Sequence, residues 1–224
     1  MVAKKVFTSK PTAILVDGAF FLKRYRKCFQ NGKSHNAETV ASNMYKMCLS
    51  HVADDNLYRI LYYDCAPLNI KMNDPITNKT VDFFKSTTAQ FRVAFLDELK
   101  KKRKVATRLG QLRSHGGWII IPEKTKQLLK GNIALEDLTE KDVIINAKQK
   151  GVDIKIGLDI ASLAYKKLVS KIILISGDSD FVPAAKLARR EGIDFVLDPM
   201  WQKINDELFE HVDGIKSTCK KPPL

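Results

Sequence analysis

Lys171-Ile172-Ile173-Leu174-Ile175-Ser176-Gly177-Asp178-Ser179-Asp180-Phe181 passes from an apolar run into a glycine and two carboxylates. Lys171–Ser176 is of strand length and rich in Ile and Leu, as a strand covered on both faces would be. Phe181–Arg190 beyond it reads as a helix. The same alternation recurs along the chain. Apolar runs at Thr12–Val16, Tyr58–Tyr63, Trp118–Ile121 and Asp194–Leu197 are separated by helix-like segments. Those segments are Phe20–Phe29, Glu38–Val52, Val81–Lys102, Asp137–Lys148 and Ile154–Val169. Such alternation predicts an α/β domain of three layers, α/β/α and Rossmann-like, around a central, mainly parallel sheet of about five strands.

Within Ala89–Lys102 the residues Phe91, Phe95 and Leu99 recur every fourth position, while Arg92, Asp97, Lys100 and Lys101 fall elsewhere on the wheel. A β-rich passage, Val105–Leu112, then leads to Gly116-Gly117 and Trp118. No internal repeat or low-complexity segment interrupts the pattern. The organisation expected is an N-terminal extension over 1–10, one domain over 11–214 and a C-terminal tail over 215–224, frayed at Lys220–Leu224.

The 224 residues are 45% apolar and 28% charged, which excludes disorder, collagen and coiled coil as the main character. With 38 basic and 25 acidic residues the net charge is +13, which favours a polyanionic partner, either nucleic acid or an anionic lipid surface. The cysteines at 28, 48, 65 and 219 form no CxxC pair and no Cys/His metal spacing. They read as free thiols of a reducing compartment. Ala13–Val16 is too short for a signal segment, and no run approaches the roughly 20 apolar residues that span a bilayer. A cytoplasmic protein with no membrane partner is the expectation.

Carboxylates follow the strands. Val16 precedes Asp17-Gly18, Tyr63 precedes Asp64, Ser176-Gly177 precedes Asp178-Ser179-Asp180, and Leu197 precedes Asp198. In a parallel sheet the strand C-termini share one edge, where open α/β folds place ligands. Carboxylates crowded there repel one another unless a hard cation such as Mg²⁺ or Mn²⁺ gathers them. A single Asp after a strand is also a good helix cap. Asp64 and Asp198, each before a proline-bearing turn, stay nearer that reading. Asp178 and Asp180 together do not, since one cap leaves the other unexplained. A further pair, Asp153 and Asp159, lies in Gly151–Ile160, with Asp153 at the cap position of the next helix. Six residues apart, they turn through about 600° and do not share a helical face, although a cap half outside the helix escapes that wheel and leaves both able to line one pocket.

These residues resemble the NYN domain family, in its LabA-like branch, of the PIN-like nuclease superfamily. The resemblance rests on Ile14-Leu15-Val16-Asp17-Gly18, Lys150-Gly151-Val152-Asp153, Leu158-Asp159-Ile160 and Ile175-Ser176-Gly177-Asp178-Ser179-Asp180-Phe181, in that order. Arg108-Leu109-Gly110 followed by Trp118 is similar to the family's middle strand. The similarity runs from about Pro11 to about Gly214. Many relatives carry Asn two residues after the first Asp, where this chain has Ala19.

The resemblance implies a PIN-like fold and a divalent-metal-dependent nuclease, an endoribonuclease that hydrolyses RNA phosphodiester bonds with Mg²⁺ or Mn²⁺. It implies catalytic roles for Asp17, Asp153, Asp159, Asp178 and Asp180, with Asp17, Asp153, Asp178 and Asp180 as metal ligands. Ser176 and Ser179 would orient a carboxylate or water. The His residues at 35, 51, 115 and 211 are isolated and read mostly as surface groups. No Ser/His/Asp or Cys/His set competes.

Between Leu99 and Pro122 there is no acidic residue, while Lys100, Lys101, Lys102, Arg103, Lys104, Arg108 and Arg113 are basic. Cations complement a helix C-terminus, but Arg108 and Arg113 lie beyond it. A track contacting an RNA backbone is the better reading. Arg24, Arg26 and Lys27, on the helix after Asp17, are further candidates for phosphate contact. The partner expected is RNA, with DNA not excluded and a homodimer plausible. The competing reading is a non-catalytic RNA-binding regulator that keeps the fold. A metal-dependent phosphatase is disfavoured, since Asp17-Gly18-Ala19 lacks a second Asp of an Asp-x-Asp nucleophile.

Overall fold

A computed structural model describes residues 11–52 and 56–223; the expected extension over 1–10 lies outside the described residues. The chain begins β1 (Thr12–Asp17), α1 (Gly18–Cys28), α2 (Ala37–Leu49), β2 (Leu57–Cys65). A small hairpin, β3 (Lys71–Asn73) and β4 (Thr80–Asp82), precedes α3 (Thr87–Lys100), β5 (Val105–Ile120), α4 (Pro122–Leu129) and β6 (Val143–Lys150). The second half is α5 (Val152–Tyr165), β7 (Lys171–Ile175), α6 (Val182–Arg190), β8 (Asp194–Asp198), α7 (Asp206–Glu210) and β9 (Gly214–Ile215).

Among the described residues the main sheet has seven strands in the order β6-β5-β2-β1-β7-β8-β9. All neighbours are parallel except β5 and β6. Strand side chains alternate between faces. Ala13, Leu15, Leu61 and Tyr63 point to the side covered by α5 and α6, with Ile156, Ile160, Val182 and Ala185 in the same cluster. Ile14, Val16, Ile60 and Tyr62 point to the side covered by α1, α2 and α3, with Phe21, Met44, Phe95 and Leu99. These are the three layers that alternation predicts.

The chain winds outward from β1 through β2 to β5, then returns to the other side of β1 as β7 and β8. Right-handed crossovers in opposite directions place helices on opposite faces. The reversal makes the C-terminal ends of β1 and β7 the switch point of the sheet, the ligand position of such folds.

Several sequence expectations change. The sheet has seven strands rather than about five. Asp137–Lys148 is not a helix: Val143-Ile144-Ile145, a β-branched run, pairs antiparallel with Trp118-Ile119-Ile120 as part of β6. Val81–Lys102 divides into β4, a short 3-10 turn at Phe83–Lys85 and α3, because Ser86 caps Ala89 N–H and starts a new helix. Trp118–Ile121 proves to be mostly the end of the long β5, which bends where Gly116 and Gly117 take φ of 76° and 84° and a bulge separates Ser114 from Trp118. Residues 215–219, expected in the tail, dock on the body: Trp201 Nε1 donates to Cys219 O at 2.7 Å and Thr218 Oγ1 to Met47 O at 3.1 Å. Among the described residues no helix is long and apolar enough to cross a membrane.

Candidate active site at the β1–β7 junction

Asp17 ends β1, and Ser176 follows the last residue of its parallel neighbour β7. The Ser176 hydroxyl donates to Asp17 Oδ2 at 3.2 Å and accepts the Asp178 N–H at 3.4 Å. Asp17 Oδ1 accepts the Phe20 N–H at 3.1 Å, so this residue also caps α1. Gly18 is fixed by crowding: a Cβ there would lie 2.5 Å from both the Tyr62 ring and the Tyr63 carbonyl. Gly177 is similar, since a Cβ would meet the Phe20 ring at 2.8 Å and Gln202 Nε2 at 2.9 Å.

Asp178 Oδ1 accepts the Asp180 N–H at 3.0 Å, which folds Ser179–Phe181 into a 3-10 turn ahead of α6. The cap of α5 is Gly151, at φ 80°, and not Asp153 as the sequence suggests. Glycine suits the left-handed backbone there, and the helix starts two residues earlier than expected. Asp153 consequently stands in the first turn of α5, exposed towards the other carboxylates.

Burial, first, and then the charges of Asp153 and Asp64 raise the Asp17 carboxyl, while the Phe20 N–H and Ser176 bonds hold it down. The Asp153 carboxyl is likewise raised, by burial and then by Asp178 and Asp180. The carboxylates of β1, α5 and the turn after β7 therefore share one electrostatic field.

Ion pairing sorts the edge. Asp64, 3% exposed, accepts Arg92 Nη1 at 2.6 Å, Tyr62 Oη at 3.0 Å and its neighbour's Cys65 N–H at 2.8 Å. Asp159 accepts Tyr63 Oη at 2.7 Å and Arg108 Nε at 3.2 Å. Asp198 is buried against His51 at 2.8 Å and accepts the Met200 N–H. His51 is thus interior, not a surface group. Among the described residues Asp17, Asp153, Asp178 and Asp180 form no ion pair with the chain's own cations. These four are the groups able to hold a cation. They do not close around one point: among the described residues no three of His, Cys, Asp or Glu converge as a metal cage. Asp159 stands about 9 Å along α5 from Asp153 and on another face.

The basic residues are dispersed. Arg24 turns inward, 8% exposed, its guanidinium donating from Nε to Met200 O at 3.0 Å, so it is not presented to the edge. Lys101 pairs with Glu98 at 2.6 Å, Lys102 donates to Ser42 Oγ at 3.1 Å, and Lys104, at φ 61°, donates to Leu57 O. Leu57 pairs with Thr12, at the start of β1. Lys101, Lys102, Arg103 and Lys104 therefore sit at the opposite sheet edge, roughly 16 Å from Asp17 at 3.3 Å per strand residue. Arg108, opposite Tyr63 in β5, is near the carboxylates. Arg113 lies further out on β5, bonded to Gln111 at 2.7 and 2.9 Å. The sequence passes over Arg92 and the buried partnership of Asp64; only the strand-end position of Asp64 signals it.

Among curated proteins none matches the chain. A solved structure from Vibrio parahaemolyticus RIMD 2210633, a protein of unknown function, is similar at 16% identity, with a TM-score of 0.47, over 95% of this chain and 94% of that one. The model of the NYN domain matches residues 11–215, which include both sides of the β1–β7 junction, Asp153 and Asp159. This chain belongs to the NYN domain family.

Proposed function

We propose that the chain is an endoribonuclease of the LabA-like branch, hydrolysing RNA with Mg²⁺ or Mn²⁺ held at the β1–β7 junction. The supporting observation is the sorting of carboxylates. Asp64, Asp159 and Asp198 have partners within the chain, whereas among the described residues Asp17, Asp153, Asp178 and Asp180 form no ion pair and stand within one electrostatic field around the switch point. The donor set is all oxygen and open, which suits a hard cation that keeps waters and takes one or two carboxylates together with substrate phosphate. When bound, the cation supplies Lewis acidity to the scissile phosphate and its attacking water.

The chain's residues do the rest. Ser176 and the Phe20 N–H hold Asp17 in orientation. The turn at Asp178 positions Asp180, and the first turn of α5 brings Asp153. Arg108, 45% exposed and steadied by Asp159, offers a cation to a neighbouring phosphate. The Tyr63 hydroxyl, its pKa raised by burial and then by Asp159, remains a proton donor to Asp159. Buried free cysteines accord with work in the reducing cytoplasm.

A covalently circular labelled RNA provides the test. Linearisation by the wild type in Mn²⁺ or Mg²⁺, absent in EDTA and in Asp178→Asn, supports the reading. Circles that are retained by the protein and never opened would leave the non-catalytic RNA-binding module in its place.

A further inference from the structure

A cavity of about 590 Å³ lies beside the carboxylate edge, between α1, the start of α2 and the start of α3. It communicates with the edge through two residues: Ala19, two positions after Asp17, and Arg92, which grips Asp64. Its inner surface includes Leu22, Tyr25 and Val40, exposed by 9%, 1% and 2%, together with half-buried Phe91. Phe91 is stacked on Phe95 with ring centroids 6.0 Å apart, so its orientation is fixed.

The surround is cationic. Lys23, Arg26, Lys27, Lys33 and Arg92 line the cavity, and no acidic residue does. Among the described residues Lys23, Arg26, Lys27 and Lys33 make no ion pair. His35 lies at the same rim. Tyr25 Oη accepts from Asn43 Nδ2 at 2.7 Å and shares a hydrogen bond with His35 Nδ1, also 2.7 Å away, which holds the imidazole at the rim. The loop carrying Lys33 and His35 is pressed onto α1: Gly32 N–H bonds Phe29 O at 2.9 Å, and a Cβ at Gly32 would approach Tyr25 O to 2.7 Å. The cationic rim is thereby held in place.

An apolar, partly aromatic interior under a rim of unpaired cations matches one chemical unit, a heteroaromatic ring carrying a phosphate. The volume lies within the range of small-ligand pockets. We infer that this cavity seats a single nucleotide of the bound strand, its base against Leu22, Val40 and Phe91 and its phosphate among Lys23, Arg26 and Lys33. The nucleotide is turned out of the strand, next to the phosphate held at the carboxylate edge. The biological sense of this seat rests on the nuclease reading, but its chemistry is testable without cleavage.

The test is calorimetric titration of the full chain, in EDTA, with a nucleoside 5′-monophosphate, its parent nucleoside and inorganic phosphate. The monophosphate binds at least about tenfold more tightly than either fragment, equally in wild type and Asp178→Asn. Lys23→Ala with Lys33→Ala weakens it about tenfold or more, and Phe91→Leu weakens monophosphate but not phosphate. Both lysines are exposed, so their loss leaves the melting temperature essentially unchanged. Phosphate binding as tightly as the monophosphate, or no binding at all, overturns the inference. So does binding that survives the lysine substitutions. Metal-dependent RNA cleavage with unchanged KM in the lysine variant would defeat the seat and leave the nuclease reading standing. Cleavage absent from wild type would defeat that reading, while specific monophosphate binding would still establish the seat.

Discussion

The Ser176 hydroxyl bridges Asp17 and Asp178, donating to Asp17 Oδ2 at 3.2 Å and accepting the Asp178 N–H at 3.4 Å. One side chain thus ties the end of β1 to the turn after β7. A hydrogen bond to a carboxylate favours its charged form, so Ser176 holds down a carboxyl that burial raises. Ser176→Ala raises Asp17 further. The expected outcome is an acid limb of the cleavage pH–rate profile moved to higher pH, with the plateau lowered by about tenfold or less. A profile that does not move would show that ionised Asp17 is not required.

The same crowding costs stability. A carboxyl whose folded pKa is raised contributes its full stability below its unfolded value, near 3.8 for Asp17, and loses it as pH rises through the folded value. At pH 7 the charged form therefore destabilises the fold. Asn can still cap α1 and accept from Ser176. Asp17→Asn accordingly melts about 2–4 °C above wild type at pH 7, the gap closing as pH falls towards 3.8. Calorimetry across pH measures this, and a lower melting temperature at pH 7 would refute it.

A cation held among these carboxylates would offset that repulsion directly. Mn²⁺ or Mg²⁺ raises the melting temperature of wild type progressively with concentration, as any ligand specific for the folded state does. In Asp178→Asn the rise shrinks or vanishes. Equal rises in both proteins would place the ion elsewhere.

Asp64 has a different fate. Its carboxylate is 3% exposed and Arg92, 27% exposed, meets it at 2.6 Å. Removing the arginine strands a buried charge, so Arg92→Met costs about 3 kcal/mol in urea unfolding. Asp64→Asn in the same chain recovers most of that loss, and the coupling appears as non-additivity in a double-mutant cycle. Additive effects would show that the two groups act independently.

Much of this was legible because parallel topology makes position along a strand meaningful. Asp17 stands directly after an apolar run and Asp178 follows another across Ser176-Gly177, and the sheet's switch point brings those run ends together. Asp153 is readable from Gly151, though as a first-turn residue rather than a cap. Residues paired across the fold were not legible. Asp64 and Arg92 are 28 positions apart, and Asp198 and His51 are 147 apart. The cations at 101–104 adjoin Arg108 in sequence but stand at the other edge of the sheet. A helix between parallel strands runs back towards their N-termini, so the end of α3 lies away from the site. β6 was hidden by the charges surrounding its β-branched core, a strand specified by pairing with β5.

The central claim is hydrolysis by the unpaired carboxylates at the β1–β7 junction. Its most direct test is single-turnover cleavage of a labelled linear RNA by wild type and Asp17→Asn, purified side by side, in Mn²⁺, Mg²⁺ or EDTA. The account requires cutting by wild type in metal alone and a rate at least about a hundredfold lower in Asp17→Asn. Equal rates in the two proteins, or cutting that survives EDTA, would contradict it.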